Sequence, residues 1–262
     1  MNRGQYQKQT NLMGPRAVRK AIASHLPRLI RRPIRAIFCL IADPDYRQQL
    51  TLRLRKPRNL FQPFNHTRPD RYPALFQFAV NQLKAGQEIN ILSFGCSTGE
   101  EVFALNHYLP NARITGLDIN SRNIRKCHTK LAEKPNSRLR FTVANSTAMF
   151  PEQHFDAIFC LSVLRHGSLN GGVPRCDHLI RFADFEETVT DFHRCLKPGG
   201  FLFIANSNFR LADTAAYSEF QAVLHEDINA PDPRMPIYDR NNDYLDGAFY
   251  RELGFRKHSI EV

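Results

Sequence analysis

Tryptophan is absent from the 262 residues and methionine occurs only four times, whereas phenylalanine occurs 20 times. That predicts an interior lined by phenyl rings but names no ligand. The six cysteines, Cys39, Cys96, Cys127, Cys160, Cys176 and Cys195, include no Cys-x-x-Cys pair. Such scatter argues against a disulfide framework and for a reducing compartment, so the expected location is the cytoplasm. Long apolar runs are missing too. The stretch from Ile34 to Ala42 is interrupted by Arg35 and is too short to cross a bilayer.

Acidic residues are missing from the first 42 positions. Residues 1–71 hold 16 Lys or Arg against 3 Asp or Glu, so the whole formal net charge of +11 originates in this segment. Ala17, Val18, Ala21, Ile22, Leu26, Leu29 and Ile30 recur at roughly helical spacing among the arginines, with Pro27 and Pro33 as breaks. A mainly helical, basic extension is expected. Four roles stay open for it: solvated packing over the rest of the chain, contact with an acidic membrane surface, nucleic-acid binding, and targeting. Peripheral membrane association is therefore an open alternative to a purely cytoplasmic location.

What is present is most concentrated in Ile91-Leu92-Ser93-Phe94-Gly95-Cys96-Ser97-Thr98-Gly99-Glu100-Glu101. An apolar strand enters a tight glycine turn and then a helix, the pattern of a nucleotide-cofactor loop. Thr98 and Glu101 have the spacing of a capping box. Acids in a helix's first turn occupy the position a pyrophosphate would need, so a ligand with a cationic end and no phosphate fits better. The Gly-x-Gly-x-x-Gly spacing of a dinucleotide site is also missing. Arg113 to Asp118 reads as the next strand. Asp118 lies 23 residues after Gly95, where an acid at the end of a second strand accepts hydrogen bonds from a ribose diol.

With these residues the chain resembles class I S-adenosylmethionine-dependent methyltransferases over roughly Glu88 to Val262. Within that class, Phe94 to Glu101 is similar to the motif of the chemotaxis-receptor methyltransferases, which methylate glutamate carboxylates. Phe155 to Leu164 resembles that family's fourth strand, and Leu196-Lys197-Pro198-Gly199-Gly200-Phe201-Leu202-Phe203-Ile204 its turn into the fifth. The sequence departs from the family at Leu161-Ser162, where an Arg-Asn pair is expected, and within Ala205-Asn206-Ser207-Asn208, where a glutamate is expected. Thr67-Arg68-Pro69-Asp70-Arg71 echoes the family's Thr-x-Phe-Phe-Arg without its aromatics, and a receptor-docking β-subdomain has no room.

The resemblance implies an α/β fold with a doubly wound, mostly parallel seven-stranded sheet of Rossmann-like type, over residues 86–262. Residues 1–85 form the basic extension and a cover for the active site, in which Phe61, Phe64, His66 and Arg68 are candidates for a lid or pocket wall. The implied cofactor is S-adenosyl-L-methionine. Phe94, Gly95, Cys96, Ser97, Gly99 and Glu100 would lie along its methionine part, with Gly95 and Gly99 admitting it to the backbone. Asp118 would hold the ribose and Asn145 with Ser146 would flank the adenine, with Ile119 and Leu161 as further cofactor-binding residues. Beyond the fourth strand, His166 is a candidate base and Arg165 or Arg175 a candidate for orienting a carboxylate. Cys176, Asp177 and His178 lack the partners a structural metal would need. A helix is expected from Glu186 to Leu196, another after Asn206-Ser207-Asn208-Phe209-Arg210, a turn at Asn229 to Arg234, and a final helix-turn-strand at Ala248 to Phe255.

The expected activity is methyl transfer to an oxygen or nitrogen of a small molecule or peptide. Methylation of RNA or protein, and a non-catalytic cofactor-binding regulatory role, remain the alternatives.

Overall fold

A computed structural model describes residues 37, 39–64, 71–83, 88–225, 235–249 and 251–259. The expected helix before Pro33, His66, Arg68 and the turn at Asn229 to Arg234 lie outside the described residues. The chain divides into two compact units, residues 1–54 and 55–262. In the first, Asp43 starts helix α1 (Pro44–Arg55) by accepting from the Asp45 and Tyr46 amides through Oδ1.

The second unit is built on seven strands. In chain order they are β1 (Asn90–Phe94), β2 (Arg113–Asp118), β3 (Leu139–Val143), β4 (Phe155–Leu161), β5 (Leu196–Ala205), β6 (Phe220–His225) and, after a two-stranded hairpin of β7 (Ile237–Tyr238) and β8 (Tyr244–Leu245), β9 (Glu252–Lys257). The sheet order is β3-β2-β1-β4-β5-β9-β6, with β9 antiparallel to both its neighbours and the other pairings parallel. This is the doubly wound, mostly parallel sheet expected from the sequence. The strand order reverses between β1 and β4, so the carboxyl ends of those strands open the crevice in which such folds bind ligands.

Both faces of the sheet are buried, which explains why β4 is apolar at consecutive positions. Ile158, Cys160, Leu202 and Ile204 join one core with helix α5 (Phe182–Cys195). Phe159, Leu161, Phe201 and Phe203 join the other, with α2 (Pro73–Gln82), α3 (Glu100–Tyr108) and α4 (Ser121–Glu133). Helix α5 buries Phe185, Val189 and Phe192, and the Phe192 ring meets Phe94 edge-on at 5.0 Å. Removing such a ring costs about 3–5 kcal/mol. Pro73 opens α2, where its missing N–H costs nothing, and Asn120 caps α4 by accepting from the Arg122 amide.

Three expectations change. The helix expected after Arg210 is replaced by two 3-10 turns, Leu211–Asp213 and Ala215–Glu219, leading into β6. Thr214 separates them in an extended conformation, and its hydroxyl donates to the Leu211 carbonyl, so local side-chain bonding ends the turn before a helix can propagate. Helix α5 begins at Phe182, four residues before the expected Glu186. At the C-terminal end the strand is found as β9, but residues 246–247 form a turn and no helix precedes β9 among the described residues.

Candidate functional site

The turn after β1 is held by three left-handed residues, Gly95 (φ +75°), Ser97 (φ +50°) and Gly99 (φ +91°). The Cys96 amide donates to the Leu117 carbonyl, tying the turn to the end of β2. Gly95 is required for packing as well as turning: a Cβ there would overlap the Val163 side chain. A Cβ at Gly99 would press on Phe103, Cys127 and Phe141. The volume freed at these glycines is thus taken by protein side chains, where the sequence suggested a ligand. Phe94 and Cys96 are buried in the two cores, as is Leu161, so what Phe94 and Cys96 can present to a ligand is backbone.

The capping box does not form. Gly99 is the N-cap of α3 and supplies no side-chain bond. Thr98 Oγ1 donates instead to Glu100 Oε2 at 2.6 Å, and Lys130 Nζ reaches Glu100 Oε1 at 2.7 Å. Burial raises the Glu100 carboxyl, but the Lys130 and Thr98 hydrogen bonds outweigh it and hold the group below the usual carboxylate range. Glu100 is therefore committed to Lys130, which revises its placement along the cofactor. The acid against the sheet is Glu101, whose Oε1 accepts from the buried Ser93 hydroxyl at 2.7 Å. Burial lifts Glu101 to about 7, with Ser93 and the nearby Arg71 charge acting the other way.

Asp118 ends β2 and is 8% exposed. Its Oδ1 accepts from the Asn120 amide at 2.7 Å and from Asn123 Nδ2 at 3.2 Å, while Oδ2 accepts from the Ser97 amide at 2.8 Å. Burial raises its pKa despite these bonds. A carboxylate has about four lone-pair directions, so one remains, enough for a single hydroxyl rather than a diol. Ile119 follows, half-buried. Beyond β3, Asn145 Nδ2 donates to the Arg58 carbonyl and Asn59 Nδ2 donates to the Asn145 carbonyl, both at 3.2 Å. The Asn145 amide oxygen is left to accept. Ser146 lines a cavity of about 100 Å³ with Asn59, Thr147 and Glu187.

A larger cavity of about 470 Å³ opens beyond β4, walled in part by Phe64, Arg71, Ser162 and Arg165. Phe61, expected to line such a pocket, is buried in the core at 2% exposure and anchors the segment. His166 is 8% exposed; its Nδ1 accepts from the Ser168 amide at 3.2 Å, and Phe64 meets its ring edge-on. With Nδ1 so engaged, the neutral ring carries its proton on Nε2 and has no lone pair for a substrate. This corrects the assignment of His166 as a base: it shapes the 3-10 turn Gly167–Leu169. Arg175 is spent on Asp177 and Asp243 and is half-exposed, away from the residues of this cavity. Among the described residues no group of three His, Cys, Asp or Glu is arranged to hold a metal ion, and no helix is long and apolar enough to cross a membrane.

Sequence reasoning overlooked Tyr72. Ser162 (φ +62°) and Asn206 (φ +60°), at the ends of β4 and β5, are both left-handed, and Asn206 Nδ2 donates to Ser162 Oγ at 2.9 Å. Tyr72 Oη lies 2.7 Å from the same Ser162 oxygen. Non-glycine residues held in this region store of order 1–3 kcal/mol each, a cost met at sites where geometry is over-determined. Motif spacing carries no trace of this trio, because its members come from three distant segments.

Residues 92–202 match the family model described as a methyltransferase domain. Three solved structures illustrate the likeness. The YcgJ protein of Bacillus subtilis is 18% identical, over 51% of this chain and 50% of its own, with a TM-score of 0.39. Phosphoethanolamine N-methyltransferase 2 of Haemonchus contortus, solved with phosphomonomethylethanolamine and S-adenosylhomocysteine, is 15% identical over 53% of this chain and 29% of its own, at 0.41. An S-adenosylmethionine-dependent methyltransferase assigned in Methanococcus maripaludis is 18% identical over 51% and 54%, at 0.38. The chain thus spans about half the length of such structures, or less. No curated protein matches it. The methyltransferase-domain match thus runs from β1 into β5 of the doubly wound sheet.

Proposed function

We propose that the chain transfers the methyl group of S-adenosylmethionine to an oxygen or nitrogen of a small molecule or peptide. The observation that carries this reading is Asp118: a buried carboxylate at the end of β2, bonded to the glycine loop through Ser97, with one acceptor direction left. The Ser97 hydroxyl beside it is buried without a partner, as is that of Thr147 beyond β3. Two orphaned hydroxyls, after β1 and beyond β3, with the remaining acceptor direction of Asp118 between them at β2, suit an extended ligand with several hydrogen-bonding groups.

Bound there, S-adenosylmethionine supplies a methyl group already activated by its sulfonium. Asp118 would hold a ribose hydroxyl, and the Asn145 amide oxygen would accept from the adenine amine. The backbone from Gly95 to Gly99 would line the methionine part, with Glu101 as the acid nearest a cationic end. The chain's remaining task is to position the acceptor and exclude water, with a base needed only for a protonated acceptor. The cavity beyond β4 suits an acceptor of modest size. That favours a small molecule or peptide over RNA or a folded protein, and the departures at Ser162 and Asn206 weigh against receptor glutamates. We also propose a cytoplasmic location, on six cysteines that form no disulfide.

Calorimetry with S-adenosylhomocysteine and NADH tests the cofactor, and tighter NADH binding would overturn it. Labelled cofactor against metabolite, peptide and RNA pools tests the acceptor. Tight cofactor binding with no acceptor in any pool would favour a non-catalytic role.

A further inference from the structure

Two buried thiols meet beneath the glycine loop. Cys96 lies within the loop, between Gly95 and Ser97, and Cys127 lies in α4; both are buried. Their side chains converge on one atom. Cys96 Sγ donates to the Ser97 carbonyl at 3.8 Å, and Cys127 Sγ donates to the same oxygen at 3.4 Å. The two thiols also hydrogen-bond to each other. Glycines leave the room that the pair fills: a Cβ at Gly116 would lie 2.9 Å from Cys96 Sγ, and one at Gly99 would lie 3.1 Å from Cys127 Sγ. Methyl transfer uses neither sulfur.

A thiol reacts as its thiolate. The bond to Cys127, burial and the Asp118 charge all push the Cys96 thiol well above its ordinary range, so the closed loop protects it. That closure depends on the Cys96 amide bonded to the Leu117 carbonyl and the Ser97 amide bonded to Asp118. Opening the turn at those two bonds removes Cys96 from the core and from the carboxylate together. A ligand lying along Gly95 to Gly99 and on Asp118 holds the same turn shut. Occupancy of the loop therefore opposes reaction of the pair.

We propose that Cys96 and Cys127 are a redox modification site: in the ligand-free chain a peroxide converts them to a reversible disulfide that disables the cofactor loop. One thiolate attacks a peroxide oxygen, the O–O bond breaks, and the departing hydroxide takes a proton to become water, leaving a sulfenic acid. The second thiolate attacks that sulfur, the S–O bond breaks, and a second water departs. The peroxide is reduced to two waters, which carry away both thiol protons, and the two sulfurs together give up two electrons. The new bond removes both thiol donors from the Ser97 carbonyl and draws the loop toward α4, away from the Ser97 amide's bond to Asp118. Thiol exchange in a reducing compartment reverses it, as befits a transient cytoplasmic disulfide. The inference rests on the proposed methyl-transfer reading in taking the loop's ligand to be S-adenosylmethionine.

The test treats the reduced full chain with hydrogen peroxide, with and without saturating S-adenosylhomocysteine, and maps its peptides without reduction. A peptide holding Cys96 should be found linked to one holding Cys127, at least fivefold more slowly when S-adenosylhomocysteine is bound. The oxidised chain should bind S-adenosylhomocysteine at least tenfold more weakly by calorimetry, and dithiothreitol should restore it. Cys127→Ser, or Cys127→Ala if the serine variant does not fold, should bind S-adenosylhomocysteine before peroxide and keep that affinity after it. Absence of the Cys96–Cys127 link overturns the proposal, as does a linked chain that binds S-adenosylhomocysteine as the reduced chain does, or a rate of linkage indifferent to that ligand. Failure of the reduced chain to bind S-adenosylhomocysteine instead overturns the methyltransferase reading, while the linked peptide still decides the thiol pair.

Discussion

The two halves of the sheet's carboxyl edge are built differently. At β1 and β2 the site is local: Gly95 to Glu101 and Asp118 lie within 24 consecutive residues and are joined by the Ser97 amide bond to Asp118. At β4 and β5 the site is assembled from afar, since Tyr72 is 90 residues from Ser162, and Ser162 is 44 from Asn206. The local half uses backbone and one buried acid. The distant half uses side chains, two of them on left-handed backbone, with Ser162 lining a cavity. In the proposed reading, the first half would hold the cofactor and the second the acceptor.

Substitution at Asp118 is the most severe way to probe this contrast. Asp118→Ala leaves the Ser97 and Asn120 amides and the Asn123 side chain without their acceptor. We expect at least a hundredfold loss of S-adenosylhomocysteine affinity by calorimetry, and roughly 3 kcal/mol of stability by urea unfolding. An unchanged affinity would remove Asp118 from the cofactor site. Gly95→Ala comes next. The left-handed backbone and the overlap with Val163 should cost about 2–3 kcal/mol, and adding Val163→Ala should recover the steric part alone. Full recovery in the double variant would mean that the left-handed turn is not needed.

The half-buried acid Glu101 gives a pH test of intermediate size. Its folded pKa, about 7, lies above the ordinary carboxylate value of 4.5, so the folded state binds more protons than the unfolded state between these values. Its stabilising contribution is complete below about pH 4.5 and is lost as pH rises through about 7. Glu101→Gln should flatten that decline in urea midpoints measured between pH 5 and 8, and an unchanged slope would place the titration elsewhere, with Asp118 the next group raised by burial. The smallest effect on stability is expected at Asn206→Gly. Relief of the left-handed strain and loss of the Ser162 bond oppose each other, leaving a net change within about 0.5 kcal/mol. Acceptor KM should nevertheless rise several-fold with S-adenosylhomocysteine affinity intact. Equal damage to both ligands would erase the distinction between the halves.

The legible residues share a physical property: their roles are fixed by backbone geometry over short separations. A strand-turn-helix needs glycine where φ is positive, and Asp118 falls at its place because β2 follows α3 after a short connection. Misread residues were those whose side chains had two feasible partners. Thr98 and Glu101 suited a capping box, yet Thr98 donates to Glu100, and Glu101 accepts from the buried Ser93 hydroxyl. His166 was plausible as a base until the Ser168 amide occupied its nitrogen.

By itself the sequence determined the alternation of buried strands and helices, the glycine turn and the acid that faces it, because hydrophobic periodicity and left-handed turns are local properties of the chain. Only the tertiary structure decided that Glu101 rather than Glu100 lies against the sheet, that His166 is spent on its own turn, and that Tyr72, Ser162 and Asn206 meet. Those outcomes depend on which distant groups arrive within hydrogen-bonding distance once both faces of the sheet are covered, and residue spacing along the chain does not encode that distance.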